Sequence, residues 1–324
     1  MNMCAQPARM NEHRRSPRSS SDIALNRRQC LIGAAAAASA ALSGTLPLAE
    51  SAAAAQTKLP IQKAVKYGMV SDGDSMTARF RLLKELGFDG VELSSPNEFS
   101  LDEVLRARDE AELPIHGVVN SRHWRDTLSH QDPEVRTRGM ESVKKSIHDA
   151  KAYGATSVLV VPAVVNKDVS YADAYTRSQE QIRQVLPLAE DLGIRVLFEN
   201  VWNQFLLSPL ETARYIDEFE SPVVGAYFDV GNVVTYGWPE QWIRILGPRI
   251  VKLDIKEFSR KRRDEEGRAK GFGVEIGDGD CDWPAVRAAL ADVGFAGWAT
   301  AEVPGGDRDR LADIADRMNQ ALAL

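Results

Sequence analysis

The run VLFEN at residues 196–200 places a carboxylate after three apolar residues, and the run AYFDVGN at residues 226–232 repeats this arrangement. Two later runs, VKLDIKE at residues 251–257 and ATAEVPGG at residues 299–306, also carry an acidic residue. A carboxylate in a β-core is costly unless something pairs with it, so four of them in successive strands indicate a shared cation. If the strands are neighbours in one barrel, their carboxyl ends meet at one place, which is the predicted active site. The four residues are Glu199, Asp229, Asp254 and Glu302.

Around these runs, short β-branched or apolar segments alternate with longer amphipathic segments from residue 58 onward. This alternation is typical of repeated βα units, and about eight of them predict a (β/α)₈ barrel of ~250 residues rather than a doubly wound sheet. No Gly-x-Gly-x-x-Gly follows the first strand, which argues against a dinucleotide-binding fold. The predicted strands are residues 64–70, 90–93, 115–120, 157–162, 195–200, 225–230, 250–255 and 298–303. The predicted helices are residues 76–86, 101–112, 133–153, 171–192, 209–219, 239–246, 283–293 and 307–322.

The N-terminal segment differs from the rest of the chain. It is basic up to Arg28, it reads NRRQCLI at residues 26–32, and an alanine-rich run and a small-residue site at residues 53–55 follow. This pattern resembles a twin-arginine export signal. The alternative, a basic tail with a membrane helix, is disfavoured because the apolar run is shorter than the ~20 residues that span a bilayer. Cys30 precedes that run, which argues against a lipid anchor.

We therefore expect a signal peptide and flexible N-terminus over residues 1–55, a barrel over residues 56–324, and a periplasmic or otherwise exported protein without a stable membrane anchor. The full chain has 40 basic and 46 acidic residues, and cleavage near Ala55 would leave an acidic protein. Such a balance argues against a nucleic-acid partner, since phosphate binding needs a dense basic face. Cys281 would be the one cysteine of the mature chain, which excludes an intramolecular disulfide.

On the four carboxylate runs and their strand order, the chain resembles the xylose isomerase-like TIM-barrel superfamily, also called the sugar phosphate isomerase/epimerase family. The resemblance implies one divalent ion bound by Glu199, Asp229, Asp254 and Glu302. Asp254 departs from the family pattern, which usually has histidine on strand seven. Four carboxylates without an imidazole favour Mn²⁺ or Mg²⁺ over Zn²⁺. In the alternative interpretation Asp254 pairs with Lys252 or Lys256, leaving a three-ligand site or none.

The resemblance also implies that Glu199 and Glu302 face opposite sides of the reacting carbon, where they remove and return a proton through an enediolate. The resemblance further implies that Glu92 and His116 contact sugar hydroxyls, and other polar or aromatic residues stand beside the metal positions, where a barrel would present them to a ligand. For His116 the competing interpretation is a hydrogen-bonded core histidine. Asn232 stands where endonuclease-like relatives carry a second-metal histidine, which argues against a trinuclear zinc site. The candidate substrate-binding residues are Glu92, His116, Asn200, Trp202, Asn232 and Lys256.

The sequence thus predicts a metal-dependent isomerase or epimerase acting on a small sugar or keto-sugar. Two alternatives remain open: a lyase or hydrolase of oxidised keto-glycosides on the same site, and a non-catalytic sugar-binding barrel. The charge run at residues 258–273 follows the strand-seven ligand and is either a solvated loop or a lid over the pocket. The sugar, the reacting carbon and the oligomeric state depend on loop shapes that pattern analysis does not define.

Overall fold

A computed structural model describes residues 58–324 of the chain. The predicted export signal lies outside these residues. Within them, no helix combines the length and the apolar character needed to cross a membrane. The strands are β1 (Ile61–Lys66), β2 (Gly90–Ser95), β3 (Ile115–Asn120), β4 (Ser157–Val160), β5 (Arg195–Glu199), β6 (Val224–Asp229), β7 (Ile250–Ile255) and β8 (Gly297–Ala301). The α-helices are α1 (Met76–Glu85), α2 (Leu101–Ala111), α3 (Pro133–Tyr153), α4 (Tyr171–Leu192), α5 (Pro209–Asp217), α6 (Val230–Val234), α7 (Pro239–Leu246), α8 (Arg260–Glu266), α9 (Trp283–Asp292) and α10 (Arg308–Leu322).

The eight strands are all parallel and close into a barrel in sequence order, so the fold is the predicted (β/α)₈ TIM barrel. Strands β1 and β8 complete the closure, with Ile61 opposite Gly297 and Val65 opposite Ala301. The main apolar core lies between the barrel and the surrounding helices, and a small second cluster of Leu159, Leu197 and Tyr227 fills the barrel interior. Because all strands point the same way, their carboxyl ends form one face.

Local sequence signals place most of the helices. The Ser100, Ser170 and Ser208 side chains each accept a hydrogen bond from a backbone N–H in the first turn, as N-cap residues do. Helices α3 and α4 both end at a glycine with positive φ, which carries the chain into the next strand. These helix ends keep the loops on the amino-terminal face short, and most of the longer loops lie on the carboxyl face.

The first strand was predicted at residues 64–70, and this prediction was wrong by about three residues. Strand β1 is Ile61–Lys66, and a 3₁₀ turn over Tyr67–Met69 follows it. Pairing with β8 sets this register, and a local apolar pattern does not contain that long-range information. As a result Lys66, and not Val70, ends the strand and faces the carboxyl end of the barrel.

The charge run at residues 258–273 is folded, in contrast to the solvated-loop interpretation. It forms helix α8 and a 3₁₀ helix over Arg268–Phe272. Arg260 donates to the backbone carbonyls of Val234 (3.0 Å) and Gly237 (2.8 Å), and Arg263 donates to that of Thr235. The arginines therefore attach this segment to the loop after β6, on the same face as the strand ends.

Candidate metal centre and catalytic pocket

Four carboxylates converge at the carboxyl face of the barrel. Glu199 and Asp229 are the last residues of β5 and β6, Asp254 lies near the end of β7, and Glu302 directly follows β8. One oxygen from each lies within 4.8 Å of the others. Asp229 and Asp254 are fully buried, whereas the Glu302 side chain is 34% exposed and faces the pocket. The barrel thus brings together residues that are more than a hundred positions apart in the chain.

The backbone around Asp229 is held by a reciprocal pair of hydrogen bonds. The Asn200 side chain accepts from the Asp229 N–H and donates to the Asp229 carbonyl, both at 2.8 Å. The Asp229 carboxylate accepts from the Asn232 backbone N–H at 2.7 Å, as the N-cap of helix α6. These bonds leave the second carboxylate oxygen, Oδ2, facing the cluster, where Lys256 Nζ lies 3.0 Å from it. Gly231 permits the close approach of the loop after β7, since a Cβ there would lie 2.7 Å from the Lys256 carbonyl oxygen.

Two lysines enter the acidic cluster. Lys66 Nζ donates a 3.0 Å hydrogen bond to Asp254 Oδ2 and lies 2.9 Å from Glu302 Oε1. Lys256 Nζ lies 3.0 Å from Asp229 Oδ2 and 2.7 Å from Glu302 Oε2, without hydrogen-bond alignment. Asp254 therefore pairs with Lys66, and not with Lys252 or Lys256 as the alternative interpretation supposed. Glu302 lies between the two ammonium groups.

The cluster retains capacity for a cation despite the lysines. Asp254 Oδ1 is buried without a hydrogen-bond partner, and Asp229 Oδ2 and Glu302 Oε2 have only the unaligned ion pairs with Lys256. With nearby Glu92 and Lys252 included and all groups ionised, five carboxylates face three lysine ammonium groups, an excess of two negative charges. Such a buried excess is neutralised by bound protons or by a cation. An all-oxygen donor set suits Mg²⁺ or Mn²⁺, so the residues present fit a divalent cation.

The two glutamates of the cluster have opposite electrostatic surroundings. Burial, reinforced by the negative charge of Glu302, raises the pKa of Glu199 to about 8. Burial also opposes ionisation of Glu302, but the ammonium groups of Lys66 and Lys256 outweigh it and lower the pKa of Glu302 to about 2. Burial disfavours the charge on both lysines, yet the surrounding carboxylates raise the pKa of each. Of these two glutamates, Glu302 is thus the one whose surroundings favour the ionised form.

A pocket of about 260 Å³ opens above the cluster. Its polar floor is formed by Lys66, Glu199, Lys256 and Glu302, and its walls include Trp202, Phe272 and His123. His123 Nδ1 accepts from the Val161 backbone N–H at 3.2 Å, and burial, aided by the Lys66 charge, lowers the pKa of His123 to about 4. A neutral imidazole whose Nδ1 is an acceptor carries its proton on Nε2, which can donate to a ligand hydroxyl. The pocket combines a charged floor, which carries both lysines and glutamates, with aromatic walls.

Residues 80–322 match the family model described as "Xylose isomerase-like TIM barrel". The chain belongs to this family. Among curated proteins it is 25% identical over 273 residues to the L-ribulose-5-phosphate 3-epimerase UlaE of Escherichia coli O1:K1 / APEC, covering 77% of this chain and 92% of that one.

Solved structures share the fold at lower sequence identity. The 3-keto-D-glucoside 4-epimerase YcjR of E. coli superposes with a TM-score of 0.67 at 17% identity, over 82% of this chain and 100% of that chain. The D-allulose 3-epimerase of Methylomonas sp. in complex with D-allulose gives a TM-score of 0.66 at 17% identity, over 81% and 97% of the two chains. Named homologues and structural neighbours of this xylose isomerase-like barrel thus include several sugar epimerases.

Of the six candidate substrate-binding residues, three line the pocket of this xylose isomerase-like barrel: Trp202, Asn232 and Lys256. Asn200 is buried beneath it and holds Asp229, as described above. Glu92 is also buried, 4.0 Å from Lys66, and neither of its carboxylate oxygens has a hydrogen-bond partner. Glu92 and Asn200 therefore lie behind the residues that face the pocket.

The expectation that His116 contacts the substrate is not supported by its position. His116 is buried, stacks on Trp298 at 4.6 Å between ring centroids, and is bonded to Thr300 Oγ1 and Lys252 Nζ at 3.1 Å each. Burial, together with the charge of Lys252, lowers the pKa of His116 well below its usual range. These contacts are those expected of a hydrogen-bonded core histidine, which was the competing interpretation. His116 is not among the residues that line the pocket because its side chain lies inside the barrel, below the pocket.

Two residues of the pocket, Lys66 and Phe272, were not predicted from the sequence. Lys66 was missed because the first strand was placed too far along the chain, although a lysine after an apolar strand was a usable signal. Phe272 lies in a charge run whose folding onto the barrel has no local signature. Its ring packs 4.7 Å from that of Trp202, so the segment after β7 supplies a wall of the pocket.

Proposed function

We propose that this protein is a divalent-metal-dependent isomerase or epimerase of a keto-sugar. The observation that carries the proposal is the convergence of Glu199 and Glu302, from strands β5 and β8, on one pocket that holds a four-carboxylate cluster within 4.8 Å. The similarity to L-ribulose-5-phosphate 3-epimerase and the fold shared with keto-sugar epimerases support it. The volume of about 260 Å³ suits a ligand the size of one sugar ring.

In this proposal Glu199, Asp229, Asp254 and Glu302 hold one divalent ion, Mn²⁺ or Mg²⁺. When bound, such an ion polarises a ketose carbonyl and its neighbouring hydroxyl, which makes the adjacent C–H more acidic. Glu302 removes that proton from one side, and Glu199 returns a proton to the other side of the enediolate. Lys66 and Lys256 fix the Glu302 carboxylate between them, and the aromatic walls exclude water from the reacting carbon.

Incubation of the metal-loaded protein in D₂O with free keto-sugars and with keto-glycosides tests the proposal. We expect deuterium at the carbon next to the carbonyl, together with the epimer or isomer of the sugar. Release of the aglycone without epimer would indicate a lyase or hydrolase that uses the same proton abstraction. Binding without exchange or turnover with any metal would indicate a non-catalytic sugar-binding barrel, and either result would contradict the proposal.

We also propose that the protein is exported by the twin-arginine route. The proposal rests on the Arg27-Arg28 pair, the apolar run behind it and the small-residue site at residues 53–55. Replacing both arginines with lysine in the full chain should leave the protein in the cytoplasmic fraction as an uncleaved precursor. A matched variant with Arg14 and Arg15 replaced by lysine should be exported as wild type is. Retention of both variants, or of neither, would contradict the proposal.

A further inference from the structure

A second cavity adjoins the catalytic pocket. It has a volume of about 480 Å³ and shares Val201 and Trp202 with the pocket described above. Gln204, Leu207, Tyr236 and Arg268 complete its lining. Trp202 therefore stands between the two spaces, with its indole N–H fixed by a 3.0 Å hydrogen bond to the Asn232 carbonyl.

One wall of the second cavity is a loop after β5 that is held at several points. The Asn203 side chain donates to the Ala163 carbonyl at 2.8 Å, and the Leu206 and Leu207 backbone N–H groups donate to Tyr171 Oη (3.0 Å) and Glu211 Oε2 (3.1 Å). Gln204 and Leu206 have φ values of +59° and +52°, which non-glycine residues adopt only when their surroundings impose it. The loop thus presents Gln204 and Leu207 to the cavity in a fixed conformation.

The opposite wall is formed by the loop after β6 and the segment after β7. The bonds from Arg260 and Arg263 to this loop hold the turn that carries Tyr236. The Arg268 guanidinium lies 4.1 Å from the centroid of the Trp202 ring and lines the cavity beside it. Both walls of the cavity are therefore formed before any ligand binds.

The lining of the cavity selects a ring that has both apolar faces and polar edges. Leu207 and Tyr236 are 57% and 44% exposed, so they keep apolar surface in contact with solvent beside the catalytic pocket. Gln204 and Arg268 add hydrogen-bond donors to the lining. The catalytic pocket alone lies just below the roughly 300–1,000 Å³ of typical ligand pockets, whereas the adjoining cavity lies within that range.

We propose that the substrate is a glycoside, with the keto-sugar ring in the catalytic pocket and the ring of its glycosidic substituent in this second cavity. The proposal rests on the proposed function for the position of the keto-sugar. It assigns Tyr236, Leu207 and Arg268 to recognition of the second ring. A sugar ring and an aromatic ring share the required shape, and the experiment distinguishes them.

The test compares the methyl, phenyl and glucosyl glycosides of one keto-glucose with metal-loaded enzyme. The kcat/KM for the phenyl or the glucosyl compound should exceed that for the methyl compound at least tenfold. The larger of the two values identifies an aromatic or a sugar ring as the preferred occupant. Equal kcat/KM values for all three compounds would overturn the proposal.

Substitutions of the lining residues test whether the preference for a two-ring glycoside arises from the cavity. Arg268→Ala, Tyr236→Ala and Leu207→Ala should each reduce the two-ring preference at least threefold. Leu210→Ala is the matched control for Leu207→Ala, because Leu210 is 70% exposed on helix α5 and is not among the lining residues. Thermal unfolding of each variant verifies that it is folded. A preference that is unchanged in all three cavity variants would overturn the assignment.

Binding measurements separate this proposal from the proposed function. Calorimetric titration with the unoxidised methyl, phenyl and glucosyl glucosides requires no chemistry. We expect a dissociation constant at least tenfold lower for a two-ring compound than for the methyl glucoside. This difference should disappear in Arg268→Ala. If no keto-sugar reacts but this difference is present, the proposed function fails and the second-ring site stands. If the keto-sugars react and the difference is absent, the second-ring site fails alone.

Discussion

Glu302 lies between the two lysine ammonium groups of the site. Lys66 and Lys256 lie 2.9 Å and 2.7 Å from its two oxygens, on opposite sides of the carboxylate. They hold it ionised, and its partly exposed side chain faces the pocket. This pairing keeps Glu302 ionised in a crowded acidic cluster, which is the state that the proposed function requires of its base.

Replacing Glu302 with Gln preserves the shape of the side chain but removes the base. Since general acid–base catalysis typically contributes ~10²–10⁴-fold, we expect deuterium exchange of the keto-sugar to fall by at least 10²-fold. The measurement is NMR detection of exchange in D₂O. Glu180→Gln, an exposed glutamate on helix α4, serves as the control and should keep the wild-type rate. Equal exchange rates in E302Q and wild type would exclude Glu302 as the base.

In the proposed function Lys66 competes with the cation for the carboxylates of Asp254 and Glu302. Lys66→Met removes the hydrogen bond to Asp254, and breaking a buried ion pair costs roughly 3–5 kcal/mol, so the metal-free variant should unfold at a lower temperature. Removal of the positive charge should also tighten Mn²⁺ binding about tenfold or more. Thermal unfolding with and without Mn²⁺ measures both effects. The exposed Lys261→Met is the control. Weaker Mn²⁺ binding in K66M would contradict this role.

At the scale of the elements, the loop after β7 depends on a single buried carboxylate. Glu257 accepts hydrogen bonds from the backbone N–H groups of Phe258 (3.0 Å), Gly277 (2.8 Å) and Cys281 (3.1 Å), and from the Trp283 indole (2.8 Å). These bonds join the end of β7 to the start of helix α9. They fix the path of the segment that carries both Lys256 and Phe272.

Glu257→Gln should therefore destabilise the protein. Its amide places a donor among four donors, and hydrogen bonds to charged groups contribute about 1.5–3 kcal/mol each, so we expect a loss of about 3 kcal/mol. The free energy of unfolding from urea denaturation measures it. The exposed Glu265→Gln on helix α8 is the matched control and should change stability by less than about 0.5 kcal/mol. A loss as small as that of the control would show that the carboxylate does not hold this loop.

Sequence patterns predicted most elements because their limits are local. Helices α3, α4 and α7 have the predicted bounds, and their caps are a serine, a proline or a glycine at a defined place. Strands β3 and β7 also have the predicted bounds. The first strand was misplaced because its register depends on β8, more than two hundred residues away. Helix α8 was not predicted because its arginines find their acceptors on another loop.

At the scale of the whole molecule, barrel closure made the convergence of the acidic residues predictable. Parallel strands of a closed barrel have their carboxyl ends on one face, so strand-end carboxylates on β5 to β8 must lie near one another. The lysines, the burial of His116 and the second cavity were not predictable in this way. They depend on the direction of individual side chains and on loops that pack against each other across the face.

The central claim is that the four carboxylates form one divalent-metal site. Calorimetric titration of Mn²⁺ into the metal-free protein, with wild type and Asp254→Ala side by side, tests it most directly. We expect one ion per chain for wild type and an affinity at least tenfold weaker for the variant, because Asp254 Oδ1 lacks a hydrogen-bond partner and one Asp254 oxygen lies within 4.8 Å of the other three ligand atoms. Absence of binding to wild type, or equal affinity in the two proteins, would contradict the claim.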